Sequence, residues 1–213
     1  MTTGIMDYKA GNIRSVETAL RRLGAAPRVS DRPEVLAGCD RLIIPGDGEA
    51  LAIMSELKSS GLDEVILDFF RRGRPILGIC IGCQIVLERS EERAAECLGL
   101  IPGTVSRFPR RPGLKVPHMG WNQVVPAPDG GRAAGLAGGR HPIFAGVPDG
   151  AACYFVHSYY PAPADERHAA ARTEYGLEFA SALARDNLIA LQFHPEKSGR
   201  WGLLMMENFL KCC

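Results

Sequence analysis

Over its first half the chain alternates short apolar runs with stretches whose apolar residues recur at helical spacing, and few folds accept that order. Strands separated by amphipathic helices build a mostly parallel sheet, because each helix must carry the chain back to begin the next parallel strand. Gly4-Ile5-Met6 opens the pattern as a short strand. Asn12 is placed to cap a helix that keeps Ile13, Val16, Leu20 and Leu23 on one face, with Gly24 at its C-terminal end. Arg41-Leu42-Ile43-Ile44-Pro45-Gly46 reads as a buried strand ending in a turn. Two helices follow, one with Met54 and Leu57 inward and one carrying Val65, Ile66, Phe69 and Phe70. The run 75–80 is the next strand, and it passes into a helical pattern carrying Ile85, Val86 and Glu88.

Beyond about Gly99 the pattern changes to β-type runs, over 116–125, 152–160, 179–184 and 188–193, with few helical stretches between them. Antiparallel or mixed pairing is expected there, with Asp186-Asn187 as a hairpin turn. The Ala/Gly/Pro-rich segment 126–139 and the basic segment 107–111 are expected as surface loops, and a helix over 203–210 closes the chain. With 213 residues, 46% apolar and 23% charged, one domain spanning 1–213 around a substantial core is expected. The net charge of +1 supplies no strong field toward nucleic acid or anionic lipid, which leaves small molecules and proteins as the expected partners. The N-terminus lacks the basic start and apolar core of a signal peptide, and no apolar run approaches the roughly 18 residues of a membrane span, so a cytoplasmic protein is expected. Seven cysteines, odd in number and scattered, are expected to be mostly free thiols.

The chemistry concentrates in Gly78-Ile79-Cys80-Ile81-Gly82, which has the form of a nucleophile elbow with cysteine in place of serine. The nucleophile of such an elbow sits on a sharp turn between strand and helix, where side chains on either side would collide with neighbouring backbone. The helix N-terminus behind Cys80 favours a thiolate, and the N–H of Ile81 points where an oxyanion would form. Cys80 and Cys83 also form a C-x-x-C, which leaves thiol-disulfide exchange open. A zinc site of paired motifs is disfavoured, because no second C-x-x-C or H-x-x-x-H completes four ligands. A second cluster lies at Gln192-Phe193-His194-Pro195-Glu196-Lys197-Ser198. A cysteine nucleophile needs a base, and the base needs a group to hold its tautomer; His194 with Glu196 two residues on supplies both. His118, His141, His157 and His168 have no such carboxylate neighbour and read as structural or exposed.

Gly78-Ile79-Cys80-Ile81-Gly82-Cys83-Gln84 with His194-Pro195-Glu196-Lys197-Ser198 resembles the class I (triad) glutamine amidotransferases, over nearly the whole chain. Within that class, Asp7 to Asn12, Pro117-His118-Met119-Gly120-Trp121-Asn122, Phe155-Val156-His157-Ser158-Tyr159 and the lysine after His194-Pro195-Glu196 are similar to the glutaminase subunits of imidazole glycerol phosphate synthases. The resemblance implies an α/β, flavodoxin-like fold with a mostly parallel central sheet flanked by helices and antiparallel strands added in the second half. It implies a catalytic triad of Cys80, His194 and Glu196, with backbone oxyanion donors at Ile81, Asp47 and Gly48. Glutamine contacts are implied for Gly46, Gly48, Gln84, Glu92, Ser158 and Tyr159, and a partner interface for Asn12, His118, Met119, Trp121 and Lys197.

The partner implied is a (β/α)8-barrel cyclase subunit in a heterodimer, which uses the ammonia released from glutamine in histidine biosynthesis. No metal or organic cofactor is implied. Two departures stand out: Asp47 replaces the valine usual in the Pro-Gly-Val-Gly loop, with its side chain expected to point outward, and Cys83 stands where methionine is more frequent. The alternatives are a paralogous glutaminase subunit feeding another acceptor, such as a surface-sugar amidotransferase, and a thiol-disulfide protein using Cys80 and Cys83.

Overall fold

A computed structural model of the chain describes residues 1–9, 12–130, 132–133 and 139–212. Strands β1 (Thr3–Met6), β2 (Arg28–Ser30), β3 (Arg41–Ile44) and β4 (Ile76–Ile79) alternate with helices α1 (Ile13–Arg22), α2 (Pro33–Ala37), α3 (Ala50–Ser60) and α4 (Leu62–Arg71). After the four-residue helix α5 (Ile81–Gln84) come β5 (Arg89–Ser90), β6 (Ala95–Glu96), β7 (Gly103–Arg107), β8 (His118–Pro126), β9 (Arg132–Ala133), β10 (Ala151–His157) and β11 (Tyr159–Pro163). The chain ends with β12 (Ala169–Glu174), β13 (Glu178–Asp186), β14 (Leu188–Leu191) and α6 (Gly199–Cys212).

The main sheet runs β10-β8-β12-β13-β14-β4-β3-β1-β2, with β9 beside β13, and its last five strands are parallel. Their order is that of flavodoxin-like doubly wound sheets, which place ligands beyond the carboxyl ends of the strands. Strands β13, β12, β8 and β10 extend that sheet antiparallel, and β11-β7-β5-β6 form a second sheet. The parallel strands are buried on both faces, so their residues alternate between two cores. Leu42, Ile44, Ile76, Leu188 and Ala190 pack with Ile53, Leu57, Val65 and Phe69 of α3 and α4 on one side. Ile43, Leu77, Ile79, Ile189 and Leu191 pack with Val16 and Leu20 of α1 and Met205, Met206 and Phe209 of α6 on the other.

Gly24, at φ +81°, ends α1 in the left-handed region, as its position suggested. Asp186 at φ 52° makes the tight β13–β14 hairpin. Two expectations are corrected. The helix after Cys80 stops at Gln84, so Ile85, Val86 and Glu88 lie outside it; Ile85, Val86 and Leu87 instead plug the core as an irregular segment. So short a helix adds little macrodipole behind Cys80. The run 152–160 is not one strand, because the chain leaves the main sheet at Ser158: β10 pairs with β8, and β11 pairs with β7. Apolar alternation continues across that break and hides it. Within the expected loop 126–139, β8 extends to Pro126 and β9 adds a two-residue pairing, while 131 and 134–138 lie outside the described residues.

Candidate active site

The elbow lies at the carboxyl end of β4, in the middle of the parallel sheet. Cys80 adopts φ 55° and ψ −103°, a conformation that costs of order 1–3 kcal/mol for a non-glycine residue. Close approach fixes it there. A Cβ on Gly78 would lie 2.5 Å from the Gly82 carbonyl oxygen, and one on Gly82 would overlap the Ile44 carbonyl oxygen outright. The Cys80 N–H donates to the Leu191 carbonyl at 2.8 Å, tying the turn to β14.

Because β14 runs parallel to β4 with Leu191 opposite Ile79, the residues just past both strand ends meet. His194 arrives by this route, and its N–H donates to the Tyr154 carbonyl at 2.9 Å. Its Nδ1 lies 2.8 Å from Glu196 Oε1, which also accepts from Asn12 Nδ2 at 2.9 Å. A carboxylate can only accept here, so Nδ1 carries the proton and Nε2 faces the elbow. Burial opposes charging of the ring, but the Cys80 sulfur and the Glu196 carboxylate overcome it and lift the His194 pKa to about 10.

Asp47 corrects an expectation. Its carboxylate turns inward, with Oδ1 3.3 Å from His194 Nε2, where it faces the charged imidazole. The loop that carries it is shaped by Gly46 at φ +152° and Gly48 at φ +134°, and the Tyr8 hydroxyl donates to the Pro45 carbonyl beneath it. The Ile81 N–H donates to the Gly46 carbonyl at 3.4 Å, so in this conformation it is not free for an oxyanion.

A cleft of about 510 Å³ opens over Cys80, and Asp47, Gly48, Ile81, Gln84, Glu92, Ser158 and Tyr159 line it together with His157 and Lys197. Gly46 is buried below the cleft instead of lining it. Gln84 is committed to structure, its Nε2 donating to the Tyr159 carbonyl at 3.0 Å and to Gln192 Oε1 at 2.9 Å. Glu92 Oε2 accepts from the Ala50 N–H at 3.1 Å.

Among the residues matched to a partner interface, Met119 and Trp121 are 62% and 59% exposed on the outward face of β8. Lys197 is exposed, its Nζ 5.9 Å from the centre of the Tyr154 ring. His118 is different: it is buried, stacked on Tyr175 at 3.9 Å and on Phe155 at 4.7 Å, so its side chain belongs to no exposed face. Alternation along β8 sends 118 inward and 119 outward, as the pleat requires. Asn12 is half-buried and spends its amide on Glu196; its side chain makes no capping bond to α1.

Cys83 packs in the core on the α3–α4 side, while Cys80 packs on the α1–α6 side, so the C-x-x-C thiols diverge. Burial pushes the Cys83 thiol well up, away from reactive thiolate. Cys39, Cys80, Cys83, Cys97 and Cys153 are all free. Sequence reasoning named Gln192 and Tyr8 within its motifs but gave neither a role; Gln192 Nε2 lies 3.8 Å from Cys80 Sγ, and Tyr8 lies beneath the loop. A glutamine directly after the apolar run Leu188–Leu191 was the available signal for the first.

Residues 5–212 match the model of the class-I glutamine amidotransferases, and the chain belongs to that family. It is an enzyme of the glutamine amidotransferase type. Its sequence is 45% identical to the imidazole glycerol phosphate synthase subunit HisH of Chloroflexus aurantiacus, over 97% of this chain and 94% of that protein. It is 42% identical to the HisH subunit of Dehalococcoides mccartyi, over 97% and 95%. In fold it is similar to the crystal structure of a glutamine amidotransferase from Thermotoga maritima, with a TM-score of 0.65 at 15% identity, covering 99% of this chain and 96% of that one. No helix among the described residues is long and apolar enough to cross a membrane.

Proposed function

We propose that Cys80, His194 and Glu196 form a triad that hydrolyses glutamine to glutamate and ammonia, and that the ammonia passes to a (β/α)8-barrel cyclase partner in histidine biosynthesis. The Cys80 thiolate attacks the side-chain amide carbon, with the His194 imidazolium beside it as counter-ion. His194 gives its Nε2 proton to the departing ammonia, leaving a glutamyl thioester, and then takes a proton from the water that releases glutamate. Glu196 holds the Nδ1 proton through both steps and stabilises the charged ring. Backbone N–H groups of Ile81 and of Asp47 or Gly48 hold the oxyanion.

The observation that carries this reading is the convergence of an elbow cysteine with a buried, carboxylate-held histidine at one end of the sheet. The amidotransferase family and the HisH relatives supply the substrate. The partner accepts the ammonia on a phosphoribulosyl-formimino aminoimidazole carboxamide ribotide and forms imidazole glycerol phosphate and the aminoimidazole carboxamide ribotide. Met119 and Trp121 provide an exposed apolar docking strip, and Lys197, at the cleft mouth one residue from Glu196, is placed to pair with a partner carboxylate. An Ile81 N–H occupied by Gly46 favours low activity in the free chain, because the oxyanion site opens only when that peptide turns away.

Glutamine turnover measured for the chain alone and with cyclase plus acceptor, in wild type and Cys80→Ala, tests the reading. Turnover should rise at least about tenfold in the complex, the scale of 1.4 kcal/mol of coupling, and vanish in the variant. Full turnover in the isolated wild-type chain would remove the gating, and turnover surviving in Cys80→Ala would remove the triad.

A further inference from the structure

We propose that Asp47, Cys80 and His194 together form a binding site for a divalent transition-metal ion of the zinc class, whose occupancy holds the catalytic centre inactive. The inference stands on geometry and donor chemistry, and it does not depend on glutamine being the substrate.

The three donors come from three segments: the turn after β3, the elbow after β4, and the stretch after β14. Their ligand atoms lie within 4.8 Å of one another. Asp47 Oδ1 and His194 Nε2 are 3.3 Å apart, which is the edge of a tetrahedron with metal–ligand bonds of about 2.0 Å. The edges to sulfur in such a site measure roughly 3.5 Å, so Sγ needs to close by no more than about 1.3 Å. Asp47 Oδ1 and His194 Nε2 are buried and face each other without forming a hydrogen bond, and the His194 side chain is only 1% exposed. Buried polar atoms of this kind call for a ligand.

The donor set chooses the metal. One thiolate, one imidazole and one carboxylate suit zinc and its neighbours, while magnesium and calcium take oxygen ligands. Thiolate and carboxylate together balance a 2+ ion, and the proton on His194 Nε2 leaves to solvent as the metal–nitrogen bond forms. Glu196 bonded to His194 Nδ1 completes the carboxylate–histidine–metal arrangement that fixes the ring and keeps Nε2 available. A fourth position faces the cleft for water. Asp47 is the member that makes the set, since the valine usual at this place offers no donor. With the ion bound, neither Cys80 nor His194 Nε2 is free to act, so the same carboxylate that faces the base in the resting chain anchors an inhibitor.

The test uses the purified full chain, stripped with a chelator and titrated with Co²⁺, then with Zn²⁺. One equivalent of Co²⁺ should give the intense visible bands of a tetrahedral site and a thiolate-to-cobalt charge-transfer band, both displaced by Zn²⁺. Cys80→Ala should lose the charge-transfer band. Asp47→Val and Asp47→Asn should bind Co²⁺ more weakly by upwards of about tenfold while keeping that band, since loss of even an outer-shell partner costs about that much. Glutamine turnover of the complex should fall on adding Zn²⁺ and return with chelator. A charge-transfer band that persists in Cys80→Ala, or wild-type affinity in both folded Asp47 variants, would overturn the site.

Discussion

Cys80 and His194 face each other across one end of the sheet, but the segments that carry them are fixed by opposite means. On the elbow side, backbone meets backbone: Gly78 and Gly82 leave no space for a Cβ, and the left-handed Cys80 is held by that crowding. On the histidine side, position is a matter of polar side chains. Asn12 bonds Glu196, Glu196 bonds His194, and Ser198 Oγ accepts from the Tyr154 N–H at 3.0 Å while donating to the His194 carbonyl at 2.6 Å. The first arrangement fails as a unit when a methyl group is added. The second should lose function in steps as partners are removed.

The largest effect should come from the elbow. Gly82→Ala places its Cβ against the Ile44 carbonyl, a backbone atom that cannot swing aside, so overpacking should cost about 3 kcal/mol or more and abolish turnover. Gly24→Ala is the contrast: Gly24 has a positive φ of +81°, which Gly82 does not, but an added Cβ there meets nothing within 4 Å, so it should cost only about 1–2 kcal/mol. Urea unfolding of the two variants checks this. Equal midpoints would mean that close contact does not set the elbow.

The histidine side should respond by degrees. Glu196→Gln should lower glutamine turnover by about two to four orders of magnitude while Cys80 still reacts with an electrophilic glutamine analogue, because the remaining centre keeps residual catalysis. Asn12→Ala removes one hydrogen bond to a charged group, worth about 1.5 kcal/mol, and should cost about tenfold. Equal losses in the two variants would mean that Asn12 and Glu196 act as one unit, which would erase the contrast with the elbow.

That contrast also explains what was legible in the sequence. The parallel half could be read because strands buried on both faces are continuous apolar runs, and because an elbow must be flanked by glycines. Cys80, His194 and Glu196 were singled out by residue type and spacing. Legibility stopped where side chains answer to distant partners. Nothing near Asp47 in the sequence announces that its carboxylate turns toward His194, and nothing near Asn12 announces a bond to Glu196, 184 residues away. The break at Ser158 was hidden because both strands it separates alternate in the same way. The elbow helix was overdrawn because Ile85 and Val86 fill the core without continuing the helix.

The smallest effect concerns histidines that read as ordinary core residues. Asn122 Nδ2 lies 3.2 Å from His118 Nε2, His118 Nδ1 lies 2.9 Å from His157 Nε2, and His157 Nδ1 lies 2.7 Å from the Tyr159 carbonyl. The amide nitrogen can only donate and the carbonyl only accept, so each ring carries one proton, on Nδ1, and both are neutral. Burial accordingly pulls His118 down to about 4. Burial also pulls His157 down to about 3, against the opposing Tyr159 bond, with repulsion from a charged His194, and from His118 where it is charged, adding to it. The unfolded chain takes up these protons as the pH falls below about 6.5, and the folded chain does not until pH 3–4. Their stabilisation is therefore complete above pH 6.5 and is lost on acidification. His194, raised to about 10, works in the other direction: its contribution is complete below about 6.5 and is lost as pH rises through 10. In urea unfolding between pH 6.5 and 4.5, above the range where carboxylates dominate, His157→Gln should reduce the slope of stability against pH. The expected reduction is one proton's worth, about 1.4 kcal/mol per pH unit. An unchanged slope would show that His157 takes up its proton in the folded chain, and the hydrogen-bonded chain from β8 to the cleft would then be no barrier to charge.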